Sequence, residues 1–209
     1  MTKTIFIAII EQEIANPKSG GLQLKKRIIV ISVILVVFLV CSLIICRIAC
    51  QNSNLGLFAD KDYLEPLVQN INSAKTSIIV EMYSFTNHRP IISALKNAAL
   101  RGVDVKLYVD NQDPNNPGKK NNKGELVGLP EKELESVGCK VKWQRTNKVM
   151  HRKVCIIDCQ IVAMGSHNWT KNAFENNDEI SRIFFDEEQA CQLTEMFEKD
   201  WQQAVENYP

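Results

Sequence analysis

The segment from His151 to Asn168 concentrates the side chains of this 209-residue chain that are best suited to chemistry. His151 and Lys153 lie two residues apart, so on a β-strand they would face the same side of the sheet. A neutral imidazole is a competent nucleophile and proton carrier near neutral pH. An adjacent ammonium can bind a phosphate and offset the charge that develops in the transition state. Asp158 lies five residues further along the chain than Lys153. The pattern therefore predicts a phosphate site in which His151 is the covalent nucleophile.

Ser166 and Asn168 are expected to bind the phosphate together with Lys153. They follow Gly165 at the end of a predicted strand, where a hydroxyl and an amide can donate to anionic oxygen. The lysine would repel a metal cation, so we predict neither a metal nor another cofactor. A lone His-x-Lys pair is common by chance. The full pattern H-x-K-x(4)-D-x(6)-G-S-x-N has a chance probability on the order of one in tens of millions per start position.

Strands that alternate with helices must position these residues. β-branched and aromatic runs indicate buried strands, and apolar residues at helical spacing indicate helices. The alternation predicts an α/β fold with a mixed β-sheet sandwiched between helices. The expected strands are Ser77–Phe85, Val103–Asp110, Lys140–Gln144, Val149–Ile157, Ile161–Gly165 and Glu179–Phe185. Helices are expected around Leu64–Ile71, over Pro90–Leu100, from Pro130 to about Gly138, from about Thr170, and over Glu187–Val205.

The N-terminal part carries an apolar run, Ile28–Cys46, of 19 residues without a charge. As a helix this run would be about 28 Å long, close to the thickness of a bilayer core. We predict a single transmembrane anchor over residues 28–49, after a tail of residues 1–27 and before a catalytic domain of residues 51–209. A cleaved signal peptide and a buried soluble helix are the alternatives. The cations Lys25–Arg27 flank the run, so the positive-inside rule predicts a cytoplasmic N-terminus and an extracytoplasmic domain.

The net charge of the chain does not indicate an anionic substrate, but one basic stretch does. Residues 51–209 hold 19 basic and 22 acidic residues, a net charge of −3. Basic residues nevertheless cluster between Ser136 and Ile157, a stretch without an acid that leads into the His151 segment. A second cluster comprises Lys119, Lys120 and Lys123. Charge runs are usually solvated faces, but the position of the first one favours a groove for a polyanion.

The spacing from His151 to Asn168 is typical of the phospholipase D superfamily, and the chain resembles its short members with a single motif. These include a small bacterial endonuclease and the mitochondrial cardiolipin hydrolase. Segments around the motif also match the family over nearly all of residues 58–205. They are VEMYSFT (Val80–Thr86), ALKNAALRGVDVKLYVD (Ala94–Asp110) and NWTKNAFENNDE (Asn168–Glu179).

The resemblance implies metal-independent cleavage of a phosphodiester through a phosphohistidine on His151. It also implies that Glu179 orients the catalytic histidine, since a carboxylate can hold one imidazole tautomer. Asp158 of the motif is expected to be a supporting catalytic residue. A second histidine should protonate the leaving oxygen, and a chain with one motif should obtain it from a homodimer. We expect His167 to face solvent, with a substrate contact as the alternative. His88 is a further candidate for a substrate contact.

The substrate stays open between nucleic acid, which the basic cluster slightly favours, and a membrane phospholipid, which the anchor favours. A membrane-tethered module that binds phosphate or nucleic acid without turnover is the non-enzymatic alternative.

Among the cysteines, Cys155 and Cys159 fall within predicted strands and are expected to be small core residues. No disulfide pairing can be assigned from the sequence.

Overall fold

The computed structural model describes residues 28–42, 55–110, 112–113, 120–124 and 128–207. The chain divides into two units, Met1–Gln51 and Asn52–Pro209. In the first unit, residues 28–42 form helix α1, whose large apolar side chains are mostly exposed. Within the described ranges, no helix has both the length and the apolarity needed to cross a bilayer. The tail of residues 1–27 and the end of the predicted anchor, residues 43–49, lie outside the described residues.

The second unit alternates strands and helices. Its strands are β1 (Gly56–Ala59), β2 (Ser77–Met82), β3 (Asp104–Val109), β4 (Lys140–Trp143), β5 (Lys153–Ile157), β6 (Ile161–Gly165) and β7 (Ile180–Phe185). Its helices are α2 (Leu64–Ser73), α3 (Arg89–Leu100), α4 (Glu131–Glu135), α5 (Lys171–Glu175) and α6 (Glu187–Gln203), and a 3₁₀ turn spans Asp60–Tyr63.

The strands form one mixed sheet in the order β1-β7-β6-β5-β2-β3-β4. Strands β2, β3 and β4 are parallel, whereas β5, β6, β7 and β1 pair antiparallel. Helices α2 to α5 cover one face of the sheet, and α6 covers the other. The predicted α/β fold with a mixed sheet between helices is therefore confirmed.

Burial on both faces explains the apolar character of the central strands. Five of the six residues of β2 are buried, and all five residues of β5 are buried. One core packs β2, β3 and β5 against α2 and α3 through side chains such as Leu67, Ile71, Ile91, Ile92 and Leu95. The other core packs the opposite face against Ala190, Phe197 and Trp201 of α6. Strands covered on both faces carry continuous apolar runs rather than alternation.

The structure differs from the expected elements at two places. The expected strand Val149–Ile157 begins only at Lys153, because the preceding backbone bonds to side chains: Met150 N–H donates to Asp110 Oδ2, and the His151 carbonyl accepts from Lys153. His151 therefore precedes the strand instead of standing on it. The edge strand β1 was not expected from the sequence. It has only four residues, two of them the small Gly56 and Ala59, so it shows no clear alternation of apolar and polar side chains.

Candidate active site

The predicted site residues gather mainly at one edge of the sheet. Lys153, the first residue of β5, pairs with Met82, the last residue of β2. At the same edge β6 ends at Gly165, which pairs with Ser181 at the start of β7. Because β5 is antiparallel to β2 and β6, its start lies beside their ends. The topology thus joins segments that are far apart in sequence.

His151 and Lys153 form the centre of this edge. The His151 side chain is exposed, whereas Lys153 is only 8% exposed. The Lys153 Nζ donates to the His151 carbonyl at 3.0 Å and lies 5.0 Å from the centre of the Tyr83 ring. The imidazole of His151 lies 4.6 Å from the same ring, centre to centre. The arrangement presents an accessible nucleophile beside an ammonium held in place by backbone and aromatic contacts.

Burial and neighbouring carboxylates have opposite effects on the pKa of Lys153. Burial lowers the pKa of Lys153, and the carboxylates of Glu179, Asp110 and Asp113 act in the opposite direction. Burial raises the pKa of Tyr83, and the same two aspartates raise it further, so the phenol stays neutral. The centre therefore combines one cation with a neutral ring.

Asp110 holds the segment before His151 and was not identified from the sequence. It follows β3 and is fully buried. Its Oδ2 accepts from Met150 N at 2.7 Å, and its Oδ1 accepts from Gln112 N and Asp113 N at 2.7 and 3.1 Å. The position after a buried parallel strand was the available signal, since such positions face the carboxyl edge of a sheet.

The residue after His151, Arg152, is fixed by two carboxylates. It forms ion pairs with Glu81 of β2, which is 1% exposed, and with Asp200 of α6 at 2.7 Å. Burial raises the pKa of Glu81 above its ordinary value, and the Arg152 guanidinium offsets only part of this rise. This pairing attaches the His151 segment both to the sheet and to α6.

The phosphate-binding residues expected from the sequence lie beside this centre, at the end of β6. Ser166 is exposed, and its Oγ exchanges hydrogen bonds with the backbone of Ile180 at 3.1 and 3.3 Å. Asn168 Oδ1 accepts from Ser84 N at 3.3 Å, which orients the amide and leaves Nδ2 to donate elsewhere.

Gly165 is needed where β6 passes β7. A Cβ on Gly165 would lie 2.2 Å from Ser181 Oγ and 2.4 Å from the Ile180 carbonyl oxygen. No side chain fits at that distance without moving the backbone of β7. The glycine of the motif therefore allows the end of β6, just before Ser166, to lie close to β7.

Glu179 lies near the centre but makes other contacts. Its Oε1 accepts from Asn177 Nδ2 at 3.0 Å, and its backbone N–H donates to Asp60 Oδ1 at 2.9 Å. Over the described ranges of the chain, no hydrogen bond joins Glu179 to His151. Its predicted role in orienting the catalytic histidine stays a prediction.

Asp158 lies apart from the other predicted site residues. It occupies the β5–β6 turn, at the far end of β5 from His151, a strand length of about 17 Å. Its carboxylate accepts backbone N–H groups of Lys75, Thr76 and Ser77 at 2.7 to 3.1 Å. Burial raises the pKa of Asp158, but these amides outweigh it and hold the pKa below its usual value. This placement corrects the grouping of Asp158 with the catalytic residues: it ties a turn to the start of β2.

The two other histidines are buried, which contradicts the expectation that His167 faces solvent. His167 is 0% exposed: Nε2 donates to the Asp60 carbonyl at 2.9 Å, and Nδ1 accepts from Ser181 Oγ at 2.8 Å. His88 is 7% exposed and stacks on Phe174 with ring centres 4.9 Å apart. Burial lowers the pKa of both histidines, so both are neutral core residues.

A pocket of about 690 Å³ opens beside His151 on the α6 side of the sheet. Its wall combines cations, amides and one carboxylate: Tyr108, Gln144, Arg145, Thr146, Lys148, Val149, Met150, His151, Arg152, Asp200, Gln202 and Gln203. Arg145 and Lys148 of the predicted basic cluster are exposed at this wall.

Of the second basic cluster, Lys120 and Lys123 are described and exposed, whereas Lys119 lies outside the described residues. In the part of the chain that the structure describes, no group of three or more His, Cys, Asp or Glu side chains could hold a metal ion.

Known proteins resemble this chain in sequence and in fold. The family described as "Cardiolipin synthase, PLD-like domain" matches residues 67–201. Cardiolipin synthase 1 of Staphylococcus epidermidis is 34% identical over 138 residues, which cover 64% of this chain and 26% of that protein. The chain thus spans about a quarter of the length of this relative.

Two solved structures match over almost their whole length. NucT from Helicobacter pylori is 32% identical, with a TM-score of 0.59, and the match covers 73% of this chain and 98% of NucT. Nuc from Salmonella typhimurium, a phospholipase D family member, is 26% identical with a TM-score of 0.61 and coverage of 74% and 99%.

Proposed function

Since the chain belongs to the phospholipase D superfamily, we propose that it is a metal-independent phosphodiesterase that works through a phosphohistidine on His151. The observation that carries the proposal is the pair at the start of β5. There an exposed imidazole stands beside a nine-tenths buried lysine whose ammonium is fixed by the His151 carbonyl. A fixed cation stabilises the negative charge on phosphoryl oxygens more than a solvated one does.

The proposed reaction has two balanced steps. One imidazole nitrogen of His151 attacks phosphorus, the bond to the leaving oxygen breaks, and a second histidine protonates that oxygen. Water then attacks the phosphohistidine, the second histidine takes the proton of the water, and the nitrogen–phosphorus bond breaks. Lys153 and Asn168 donate to the phosphate oxygens in both steps, and Ser166 does so once its hydroxyl proton turns away from the Ile180 carbonyl.

The need for a second histidine as the acid favours a homodimer. The chain has three histidines. His88 and His167 are buried, and both ring nitrogens of His167 are engaged. Neither is placed to protonate a leaving group beside His151. We therefore propose that His151 of a second copy supplies the acid, which completes one shared site across a two-fold axis.

The test of the chemistry uses the full chain in detergent and a chromogenic phosphodiester, bis(4-nitrophenyl) phosphate. We expect turnover that resists EDTA and that is lost in His151→Asn, a variant that should keep the far-UV circular dichroism spectrum because His151 is exposed. An alkaline quench should trap a 4-nitrophenyl phosphoryl group on His151, because only one of the two aryl esters of the substrate has been cleaved at that stage; mass spectrometry detects the adduct. Inhibition by EDTA that magnesium reverses, or full turnover in His151→Asn, would contradict the proposal. Binding without turnover would support the non-catalytic module instead.

For the substrate, we favour nucleic acid because Arg145 and Lys148 line the pocket beside His151. Salt dependence tests this choice, since each phosphate contact contributes about 0.7 to 0.9 to the slope of log affinity against log salt. In the binding of single- and double-stranded DNA, Arg145→Ala/Lys148→Ala should lower that slope by about 1.5. The matched control Lys75→Ala/Lys140→Ala changes two exposed lysines at the opposite edge of the sheet and should leave the slope unchanged.

A membrane phospholipid is the second candidate, and helix α1 favours it. Its apolar side chains are exposed, among them Val36 at 60%, Phe38 at 64% and Leu39 at 61%. Such a surface needs an apolar environment, and we propose that residues 28–49 anchor the chain in a bilayer. The cardiolipin synthases that the chain resembles are consistent with this substrate. Side-by-side assays with DNA, RNA and anionic phospholipid vesicles distinguish the two candidates by the turnover of each.

A further inference from the structure

We propose that Cys159 and Cys191 form a disulfide bond that ties helix α6 to the β5–β6 turn, an oxidation site that is independent of the phosphodiester chemistry. Their Sγ atoms lie 3.2 Å apart, and Cys191 is exposed while Cys159 is partly exposed. A disulfide needs an S–S distance near 2.05 Å, so the two atoms need to approach by only about 1 Å. Cys159, expected to be a small core residue in a strand, lies in the turn after β5 instead.

The residues on both sides of Cys159 are already held in place. Next to Cys159, the Asp158 carboxylate accepts three amides at the start of β2. On its other side, the Gln160 carbonyl accepts from Asp186 N at 2.9 Å, and Gln160 Nε2 donates to Glu187 Oε1 at 3.3 Å. These bonds attach the turn to the first residues of α6. Oxidation therefore joins groups that the fold has already ordered, which keeps the entropy cost low.

The other described cysteines of this unit are unsuited to oxidation. Cys139 and Cys155 are 4% and 1% exposed. Burial raises the pKa of the Cys139 thiol to about 11 and raises the pKa of Cys155 as well, so thiolate is scarce at both. The hydrogen bond with Cys159 raises the pKa of Cys191 too, so exchange calls for mildly alkaline buffer.

A small-molecule disulfide such as oxidised glutathione supplies the oxidant. The Cys191 thiolate attacks one of its sulfurs, which forms a mixed disulfide and releases one glutathione thiolate. The Cys159 thiolate then attacks Cys191 Sγ, forms the internal disulfide and releases the second glutathione thiolate. The two protons lost by the protein thiols pass to the two released thiolates, and the glutathione disulfide takes up two electrons.

The bond would close a loop that contains β6 and β7 and the start of α6. The far end of α6 carries Asp200, which pairs with Arg152 beside His151, and Gln202 and Gln203 of the pocket wall. A cross-link at Cys191 holds the opposite end of the same helix to the sheet. Oxidation should therefore stabilise the wall without contacting the substrate.

The test incubates the full chain in detergent with oxidised glutathione at about pH 8.5, followed by alkylation, trypsin digestion and mass spectrometry. We expect a cross-linked species of peptides Val154–Lys171 and Ile183–Lys199, with fragmentation that assigns the link to Cys159 and leaves Cys155 alkylated. The Tm should rise on the order of 10 °C on oxidation.

Variants make the outcome decisive. Cys159→Ser and Cys191→Ser should each abolish both the cross-link and the Tm rise, whereas the control Cys41→Ser should keep both. Recovery of Cys159 and Cys191 as alkylated thiols, a link from Cys191 to a different cysteine, or a link between two chains would overturn the proposal. A correct link without a rise in Tm would overturn its stabilising role.

Discussion

At Lys153, the amine that should bind phosphate is also buried. Its pKa lies below the ordinary 10.5 because burial disfavours the charged form. The ammonium must be protonated to attract a phosphate, so affinity should fall as the pH rises, and the fall should begin below the range of an exposed lysine. A guanidinium stays charged throughout that range.

We therefore expect the alkaline loss of binding to disappear in Lys153→Arg. The measurement is calorimetric titration of bis(4-nitrophenyl) phosphate into the His151→Asn protein, with and without Lys153→Arg, between pH 7 and 10.5. The ligand carries a constant single charge over this range. Parallel pH profiles in the two proteins would show that a group other than Lys153 controls binding.

Asp158 illustrates a residue of the motif whose contacts are structural. Its folded pKa lies below the usual 3.8, so its contribution to stability is fully present above pH 3.8 and is lost as the pH falls through the lower folded pKa. Asp158→Asn replaces one acceptor by a donor opposite several amides, which should cost about 1–3 kcal/mol at pH 7.

Urea denaturation at pH 7 and near pH 3 checks this expectation, and the difference between the two proteins should shrink at the lower pH. Turnover per folded molecule should be unchanged, because Asp158 lies at the other end of β5 from His151. A large loss of kcat in folded Asp158→Asn would return this residue to the catalytic set.

At the scale of elements, the loop that delivers His151 depends on β3. Asp110, at the end of that strand, accepts the Met150 amide one residue before His151. Asp110→Asn places an amide nitrogen among backbone donors and should displace His151. We expect kcat to fall on the order of 10²-fold with little change in KM, since misplacement of a reacting group by about 1 Å can have that effect.

Asp104→Asn is the matched control for Asp110→Asn. It lies at the start of the same strand, where its ion pair with Lys140 is exposed, and it should leave both kinetic constants unchanged. The circular dichroism spectrum and Tm identify the folded fraction. Equal kcat values in the two variants would show that Asp110 does not position His151.

At the scale of the whole molecule, the shared site predicts dominant inhibition by an inactive subunit. Excess His151→Asn protein, mixed with the wild type under conditions of subunit exchange, should form heterodimers that hold one catalytic histidine. General acid catalysis contributes about 10²–10⁴-fold, so activity should fall toward the fraction of wild-type homodimer. The same mixture assayed before exchange is the control. Activity that stays proportional to wild-type subunits would show that each chain has its own acid.

The proposed anchor predicts the side of the membrane on which the catalytic unit lies. Because Lys25–Arg27 precede the apolar run, residues 51–209 should be extracytoplasmic. External protease, added after any outer membrane is opened, should digest this unit in intact cells, and a cytoplasmic marker protein should survive. Protection of the unit until the cells are lysed would reverse the orientation.

The sequence by itself predicted the chemistry and most elements of the fold. His151, Lys153, Ser166 and Asn168 follow one another within 18 residues, so their types and spacing are visible without a structure. The apolar strands and helices were also predicted, because burial on both faces of β2 and β5 leaves continuous apolar runs. These are local properties of the chain.

The tertiary structure decided which residues meet. Asp158 belongs to the same motif, yet an antiparallel strand carries it to the opposite edge of the sheet, where it binds the amides before β2. Asp110 is 41 residues from His151 in the chain but one hydrogen bond from its neighbour Met150, because β3 ends and β5 starts at the same edge of the sheet, on either side of β2. Packing of distant strands and helices likewise decides the burial of His167, the partners of Cys159 and the need for glycine at position 165. The spacing of residues along the chain does not reveal such contacts, since they form only when distant strands pair in the sheet.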